Sequence, residues 1–129
     1  MTEIQRHHTN ARMSKFVSHG GLVYLCGQTA KGSSSATGDI SAQTMEVLSR
    51  IDALLAEAGS DRTRLLTVMI HLRDIADFAG MNAVWEEWLA GQPACAPART
   101  TVEAKLATES LRVEMTVVAA AGDSESMRT

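Results

Sequence analysis

The sequence has 129 residues, of which 45% are hydrophobic and 21% are charged. This length and this balance are typical of one soluble globular domain, and they exclude a disordered or low-complexity chain. The formal net charge is −3, from 15 acidic and 12 basic residues. Because the basic residues form no stripe that would neutralise a run of phosphates, we expect no nucleic-acid partner.

The N-terminal stretch and the cysteines indicate where the protein works. The stretch MTEIQRHHTN is polar and lacks the apolar core of a signal peptide, and the longest uncharged apolar run, MTVVAAAG, is too short to span a bilayer. We therefore expect a cytoplasmic protein with no membrane contact. Cys26 and Cys95 belong to no CxxC pair or Cys/His cluster, which favours free thiols and no metal site.

The first half of the chain predicts a β-hairpin followed by a helix. The runs SKFVS (14–18) and LVYLC (22–26) are separated by HGG, whose glycines permit a tight turn, and residues 3–8 form a candidate further strand. The Gly- and Ser-rich stretch 29–39 predicts a loop. A helix then begins at Asp39 or Ser41 and ends at Gly59. Its apolar face is formed by Met45, Leu48, Ile51, Leu55 and Ala58.

The second half predicts a strand, a second helix and two more strands. Alternation over 65–73 predicts a strand that buries Leu66, Val68, Ile70 and Leu72. The segment DIADFAGMNAVWEEWLAG has helical period and begins at Asp74 or Asp77. Its apolar stripe, which we interpret as core packing, consists of Phe78, Met81, Trp85 and Trp88. Strands are predicted at about 99–106 and 111–120, and residues 121–129 form a polar tail.

This order of elements predicts a single domain over 1–129, with a core at about 13–120. It favours an α+β, two-layer sandwich in which a mixed six-stranded sheet carries two helices on one face. Each strand–helix–strand unit needs a right-handed crossover, so the strands that it joins are parallel. In the last strand, Glu114 and Thr116 point away from the helices, and so does Val118, which indicates that the second face of the sheet is partly covered.

Arg99 and Glu114 occupy two strand-like segments near the end of the chain. In a simple hairpin, Arg99 would lie about 13 Å along the strand from Glu114, and Glu103 would face Glu114 unfavourably. This conflict indicates that a third strand separates the two segments. The spacing alone leaves two alternatives open, a shared site or two unrelated surface residues.

Several ordered segments together resemble one known family over residues 13–120. They are PARTTVEAKLA, VEMTVVAA, GQ after a β run, SAQTMEVLSRIDALLAEAGS and DFAGMNAVWEEW. This set is similar to the RidA (YjgF) family of enamine and imine deaminases. The resemblance implies a chorismate-mutase-like fold, a last strand inserted beside the third, and a homotrimer whose sites lie between subunits.

The resemblance also implies roles for the two charged residues. Arg99 would hold the carboxylate of a 2-imino or 2-enamino acid, because a guanidinium grips a planar carboxylate with two parallel hydrogen bonds. Glu114 would position a water molecule and accept its proton. The products would be a 2-keto acid and ammonia, with no metal and no organic cofactor.

Four further residues match positions near the cleft of that family. Asn82 is a candidate ligand contact across the interface or a plain polar helix residue. Cys26 stands where relatives often carry serine, and is otherwise a small buried hydrophobe. Thr101, often cysteine in relatives, would contact ligand or water through its backbone. Met13 replaces an aromatic residue, usually tyrosine, and makes the pocket more apolar.

Met13 and Cys26 also motivate an alternative hypothesis, a non-catalytic module that binds small carboxylates such as 2-keto acids in the same trimeric fold. Among the histidines, His71 lies on the less apolar face of its strand, with no acid or nucleophile partner visible in the sequence.

Overall fold

Six strands and two long helices form the fold in the computed structural model, which describes residues 3–122. The elements are β1 (Gln5–His7), β2 (Phe16–His19), β3 (Leu22–Leu25), α1 (Ile40–Glu57), β4 (Leu65–Leu72), α2 (Phe78–Trp88), β5 (Ala98–Glu103) and β6 (Val113–Ala120). The predicted order of elements is confirmed, including the candidate strand within 3–8. Most of the predicted polar tail, 123–129, lies outside the described residues.

The sheet has the strand order β1-β2-β3-β6-β4-β5. β6 is antiparallel to both of its neighbours, β3 and β4, whereas β4 and β5 are parallel. β3 and β4 therefore run in the same direction, joined by α1, and α2 joins β4 to β5. The mixed six-stranded sheet is confirmed, and so is the inserted last strand. Because β4 lies between β5 and β6, the simple hairpin is excluded.

The two helices cover one face of the sheet and form the core with it. α1 begins at Asp39, whose carboxylate accepts a hydrogen bond from the backbone N–H of Ala42 at 2.9 Å, and it ends before Gly59, which has φ +78°. In β6, alternate side chains enter the core as predicted. They are Val113, Met115, Val117 and Ala119.

Gln43 connects the start of α1 to the chain that enters β6. Its side chain is fully buried, and its amide nitrogen lies 3.0 Å from the carbonyl oxygen of Gly38 and 2.8 Å from that of Ser110. Its amide oxygen accepts from the backbone N–H of Arg112 at 2.8 Å. These bonds fix the chain two residues before Glu114, and so help to place that side chain.

Three residues that we predicted on buried apolar faces are exposed instead. Leu66 is 42% exposed because the pairing of β4 with β6 is irregular between Leu65 and Thr67, so that Leu65 is buried in its place. Met45 is 57% exposed because the buried stripe of α1 passes through Thr44 and Leu48. Phe78 is 41% exposed at the start of α2. The strand predicted over 99–106 ends earlier, at Glu103.

The opposite face of the sheet carries no helix among the described residues. It exposes three large apolar side chains, Tyr24, Met69 and Val102, and it holds Thr116 and Val118 half-buried. We call this surface the open face. No helix within residues 3–122 is both long enough and apolar enough to cross a membrane.

Candidate active site

The two charged residues among the six predicted site residues lie on different faces of the sheet. Arg99 is paired with Val68, which is buried beneath the helices, so its side chain is on the helix-covered side. Glu114 is paired with His71, one of the alternate positions that point to the open face. Arg99 and Glu114 of one chain therefore do not share a cleft. We call the first group (Arg99, Thr101, Asn82) the arginine half-site, and the second (Glu114, Cys26, Met13) the glutamate half-site.

The guanidinium of Arg99 lies over two aromatic rings of α2. Its Cζ is 5.7 Å from the centroid of Phe78 and 5.3 Å from that of Trp85, both within the range of a cation–π interaction. Burial lowers the pKa of Arg99 from its ordinary value, and the negative charge of Glu86 opposes this shift. A guanidinium stays charged throughout the neutral range. None of the ion pairs within residues 3–122 includes Arg99, so its N–H donors remain available to an anion.

Two unsatisfied polar atoms accompany Arg99. Thr101 is two residues further along the same face of β5, and its Oγ1 is buried without a hydrogen-bond partner. Asn82 lies in α2 one turn after Phe78 and one turn before Trp85, and its Oδ1 is also buried without a partner. Buried polar atoms nearly always have a partner in native proteins. The two unpaired oxygen atoms near the partly buried guanidinium of Arg99 therefore indicate a binding place for a polar ligand.

Glu114 is half-buried on the open face, and its carboxylate lies against the backbone of Gly27. A Cβ at Gly27 would overlap the Oε2 atom of Glu114, so only glycine permits this approach. The neighbouring backbone is fixed by two hydrogen bonds between Gln28 and Met115, of 2.8 and 3.0 Å. The position of the Glu114 carboxylate is thus determined by the chain that leaves β3.

Cys26 adjoins the same carboxylate. Burial raises the pKa of its thiol, the positive charge of Lys15 opposes this shift, and the negative charge of Glu114 adds to it. The side-chain amide of Gln28 donates to Sγ at 3.2 Å. A thiol held in its neutral form is a weak nucleophile. Cys26 is therefore better suited to line the site than to act as a covalent catalyst.

Met13 lies in the loop before β2, at the end of the sheet where Cys26 leaves β3. The backbone N–H of Cys26 donates to the carbonyl of Lys15. Met13 precedes Lys15 by two residues and therefore lies near this end of β3. Its side chain is exposed, and the side chain of Asn10 fixes its backbone with a hydrogen bond of 3.0 Å. Met13 is therefore available to a molecule that approaches from outside the chain.

Several residues of both half-sites were not predicted from the sequence. Phe78 and Trp85 were assigned to the core, although both also support Arg99. Gly27 and His71 were given no role beside Glu114. The signal for Gly27 was present, since a glycine directly after a strand often marks a close approach. No local pattern could identify His71, because its partner lies on a strand distant in sequence.

A cleft with a volume of about 780 Å³ contains none of the six residues. Its lining is rich in charges that already have structural partners: Arg112 pairs with Asp77 at 3.0 Å, and Asp74 caps a short turn before α2. We therefore exclude it as the active site. Within residues 3–122 there is also no group of three or more His, Cys, Asp or Glu side chains arranged to hold a metal ion.

Comparisons with known proteins agree with the fold and with the sequence motifs. Residues 3–121 match the family described as Endoribonuclease L-PSP. A RutC family protein of Haemophilus influenzae is 40% identical over 116 residues, covering 90% of this chain and 97% of the relative. The RutC family protein YoaB of Escherichia coli is 37% identical over 118 residues, covering 91% and 97%. A crystal structure of a YjgF family protein from Neisseria meningitidis superposes with a TM-score of 0.85 at 39% identity, covering 95% and 98%.

Proposed function

Since this chain belongs to the Endoribonuclease L-PSP family, which includes RutC and YjgF proteins, we propose that it hydrolyses reactive 2-imino and 2-enamino acids. The products are a 2-keto acid and ammonia. Family membership supports a general enamine or imine deaminase activity or a small-molecule binding role. The finer assignment of substrate and residues rests on the two half-sites.

The arginine half-site binds the substrate carboxylate. Arg99 offers a planar fork of N–H donors that is desolvated and supported on two rings, and such a fork binds a carboxylate through two parallel hydrogen bonds. The unpaired hydroxyl of Thr101 can donate to that carboxylate, whereas the unpaired Oδ1 of Asn82 can only accept and suits an N–H group of the substrate. These three features form the observation that carries the proposal, a cationic anchor without an anion and two polar atoms without partners.

The glutamate half-site activates water. As the water oxygen forms a bond to the imine carbon, the π electrons of the C=N bond move to nitrogen and Glu114 accepts one proton from the water. Glu114 then returns that proton to the nitrogen, which gives an intermediate with a hydroxyl and an amino group on the same carbon. Glu114 next takes the proton of that hydroxyl group and passes it to the nitrogen. The C–N bond breaks, ammonia leaves and the C=O bond forms. Protons and electrons balance, and no redox cofactor takes part in this scheme.

One chain cannot bring its two half-sites together, because they lie on opposite faces of its sheet. We therefore propose that the site forms where the arginine half-site of one copy meets the glutamate half-site of another, in a homotrimer. The open face supports this assembly, since Tyr24, Met69 and Val102 expose apolar side chains that a second copy would bury.

The direct test is the rate at which pyruvate forms from 2-iminopropanoate generated in the cuvette by an amino-acid oxidase. The wild-type protein should accelerate this reaction over buffer. Arg99→Ala should abolish the acceleration, whereas Arg6→Ala, which removes an exposed arginine from β1, should have no effect. If the wild-type protein gives no acceleration with imines derived from several amino acids, the deaminase proposal is wrong.

A second function is favoured by the glutamate half-site itself. Met13 is exposed and apolar, and the Cys26 thiol is neutral and hydrogen-bonded, so this wall offers fewer polar contacts to a small imine. A 2-keto acid sensor would show saturable pyruvate binding in calorimetry, dependent on Arg99, without turnover. The ribonuclease activity in the family description has less support here, because a net charge of −3 disfavours binding to a phosphate backbone.

A further inference from the structure

His71 is the residue that directly faces Glu114 across the sheet. The two are paired in the antiparallel register of β4 and β6, with side chains on the same face. Side chains paired in this way have Cβ atoms about 5 Å apart. Both residues are half-buried, so one water molecule between their polar ends would be largely shielded from solvent.

The imidazole of His71 carries a buried atom without a partner. Its Nδ1 is buried and makes no hydrogen bond within the described residues. The residue paired with His71 on its other side is Val102 of β5, which offers no polar side-chain atom. A buried ring nitrogen without a hydrogen-bond partner is unfavourable, so we expect a polar group to bind to it at this place.

We propose that His71 is a positioning residue that holds the attacking water against Glu114. This inference rests on the proposed function, and it adds a residue that has no visible partner in the sequence. In the tautomer with its proton on Nε2, the Nδ1 lone pair accepts one hydrogen of the water while the Glu114 carboxylate accepts the other. A lone pair of the water oxygen then faces the imine carbon.

The bond changes remain those of the proposed reaction. The oxygen–carbon bond forms, the C=N π electrons move to nitrogen, and the proton on the Glu114 side is transferred to that carboxylate. His71 gains and loses no proton in this step. An imidazolium has no lone pair at Nδ1 and cannot accept the water hydrogen, so protonation of His71 disrupts the geometry.

Several other charged or titratable groups surround His71: Arg73 on its own strand, Arg112 diagonally on β6, and Cys26 and Lys15 beyond β6. Arg112 is paired with Asp77 at 3.0 Å, and Arg73 donates to the carbonyl of Leu111 at 2.8 Å. Neither guanidinium is therefore free to face the imidazole. Glu114 is the acidic group that faces His71 directly.

The test compares three variants in the pyruvate assay between pH 5.5 and 8. His71→Phe should lower kcat about 10- to 100-fold with little change in KM, since the carboxylate anchor is untouched. His71→Asn places an amide oxygen where Nδ1 was, and should keep most of the activity at pH 8. Because an imidazolium cannot accept this hydrogen bond and an amide does not titrate, the ratio of wild-type to His71→Asn activity should be lower at the acid end of this range than at pH 8.

His19 provides a matched control. It lies on the same face and also has a buried Nδ1 without a partner, but its cross-strand partner is Leu22. His19→Asn should leave both kcat and the pH profile unchanged. An active wild-type protein whose rate and pH profile survive both substitutions at His71 would overturn this inference alone, whereas an inactive wild-type protein would overturn the proposed function and this inference with it.

Discussion

Gly27→Ala should reduce catalysis through Glu114 without weakening the fold. The Cβ of alanine would overlap Oε2 of Glu114, and the carboxylate must withdraw by about 1 Å to restore van der Waals separation. Gly27 is not among the glycines with positive φ within residues 3–122, so its backbone accepts alanine without strain. The overlapping atom is the end of a flexible side chain, which moves more easily than the backbone.

A displacement of 1 Å at a catalytic group can cost about 100-fold in rate. We therefore expect Gly27→Ala to lower kcat for pyruvate formation by about that factor. KM should change little, because Arg99 lies on the other face of the sheet. The free energy of unfolding should change by less than about 1 kcal/mol, since alanine at a compatible glycine position restricts the unfolded chain and is not itself destabilising.

The control is the same substitution in a Glu114→Asp background. Aspartate withdraws the carboxylate by one methylene group, so a Cβ at residue 27 no longer overlaps it. Gly27→Ala should then cost little further activity, and the two effects should be non-additive. An equal loss in both backgrounds would show that Gly27 does not act through Glu114, and an undiminished rate in the single variant would refute the assigned position of the carboxylate.

Three further predictions concern a buried amide, a capping carboxylate and a thiol. Gln43→Ala should destabilise the protein by about 2–4 kcal/mol in urea titrations, because it leaves buried backbone groups unpaired. Asp61 caps the short turn before β4, and its hydrogen bonds with Thr63 lower the pKa of its carboxyl group. The ionised carboxylate therefore stabilises the fold above the pKa of the unfolded state, and this stabilisation is lost as the pH falls through the lower pKa of the folded state. Asp61→Asn should make acid unfolding less steep below about pH 4. Burial raises the pKa of Cys26, so iodoacetamide should alkylate it more slowly than a free thiol at pH 8, and Lys15→Ala should slow the reaction further.

Local sequence patterns predicted most of the secondary structure. Helical spacing and the cap at Asp39 predicted α1, and alternation predicted the buried positions of β6. The exposure of Leu66 was not predictable from the alternation of apolar and polar residues. The irregularity that causes it lies in the pairing of β4 with β6, and the sequence of β4 alone does not contain that information. Met45 is exposed because the buried stripe of α1 passes through Thr44, one position earlier. The apolar side chain of Met45 made it the more natural choice for that stripe in the sequence.

The candidate site was predictable as a list of residues but not as an arrangement. Family motifs identified Arg99 and Glu114, and the unfavourable pairing of Glu103 with Glu114 indicated a strand between them. That they lie on opposite faces follows from the register of β4 with both neighbours, which is a non-local property. The pairing of His71 with Glu114 was hidden for the same reason.

Complementation between two inactive variants tests most directly the claim that each site joins two copies. Arg99→Ala and Glu114→Ala chains should each be inactive alone. Refolded together in equal amounts, they should recover about one quarter of the wild-type rate, because each site draws its arginine and its glutamate from independently chosen chains. A mixture that forms mixed oligomers yet stays as inactive as its parents would contradict the account.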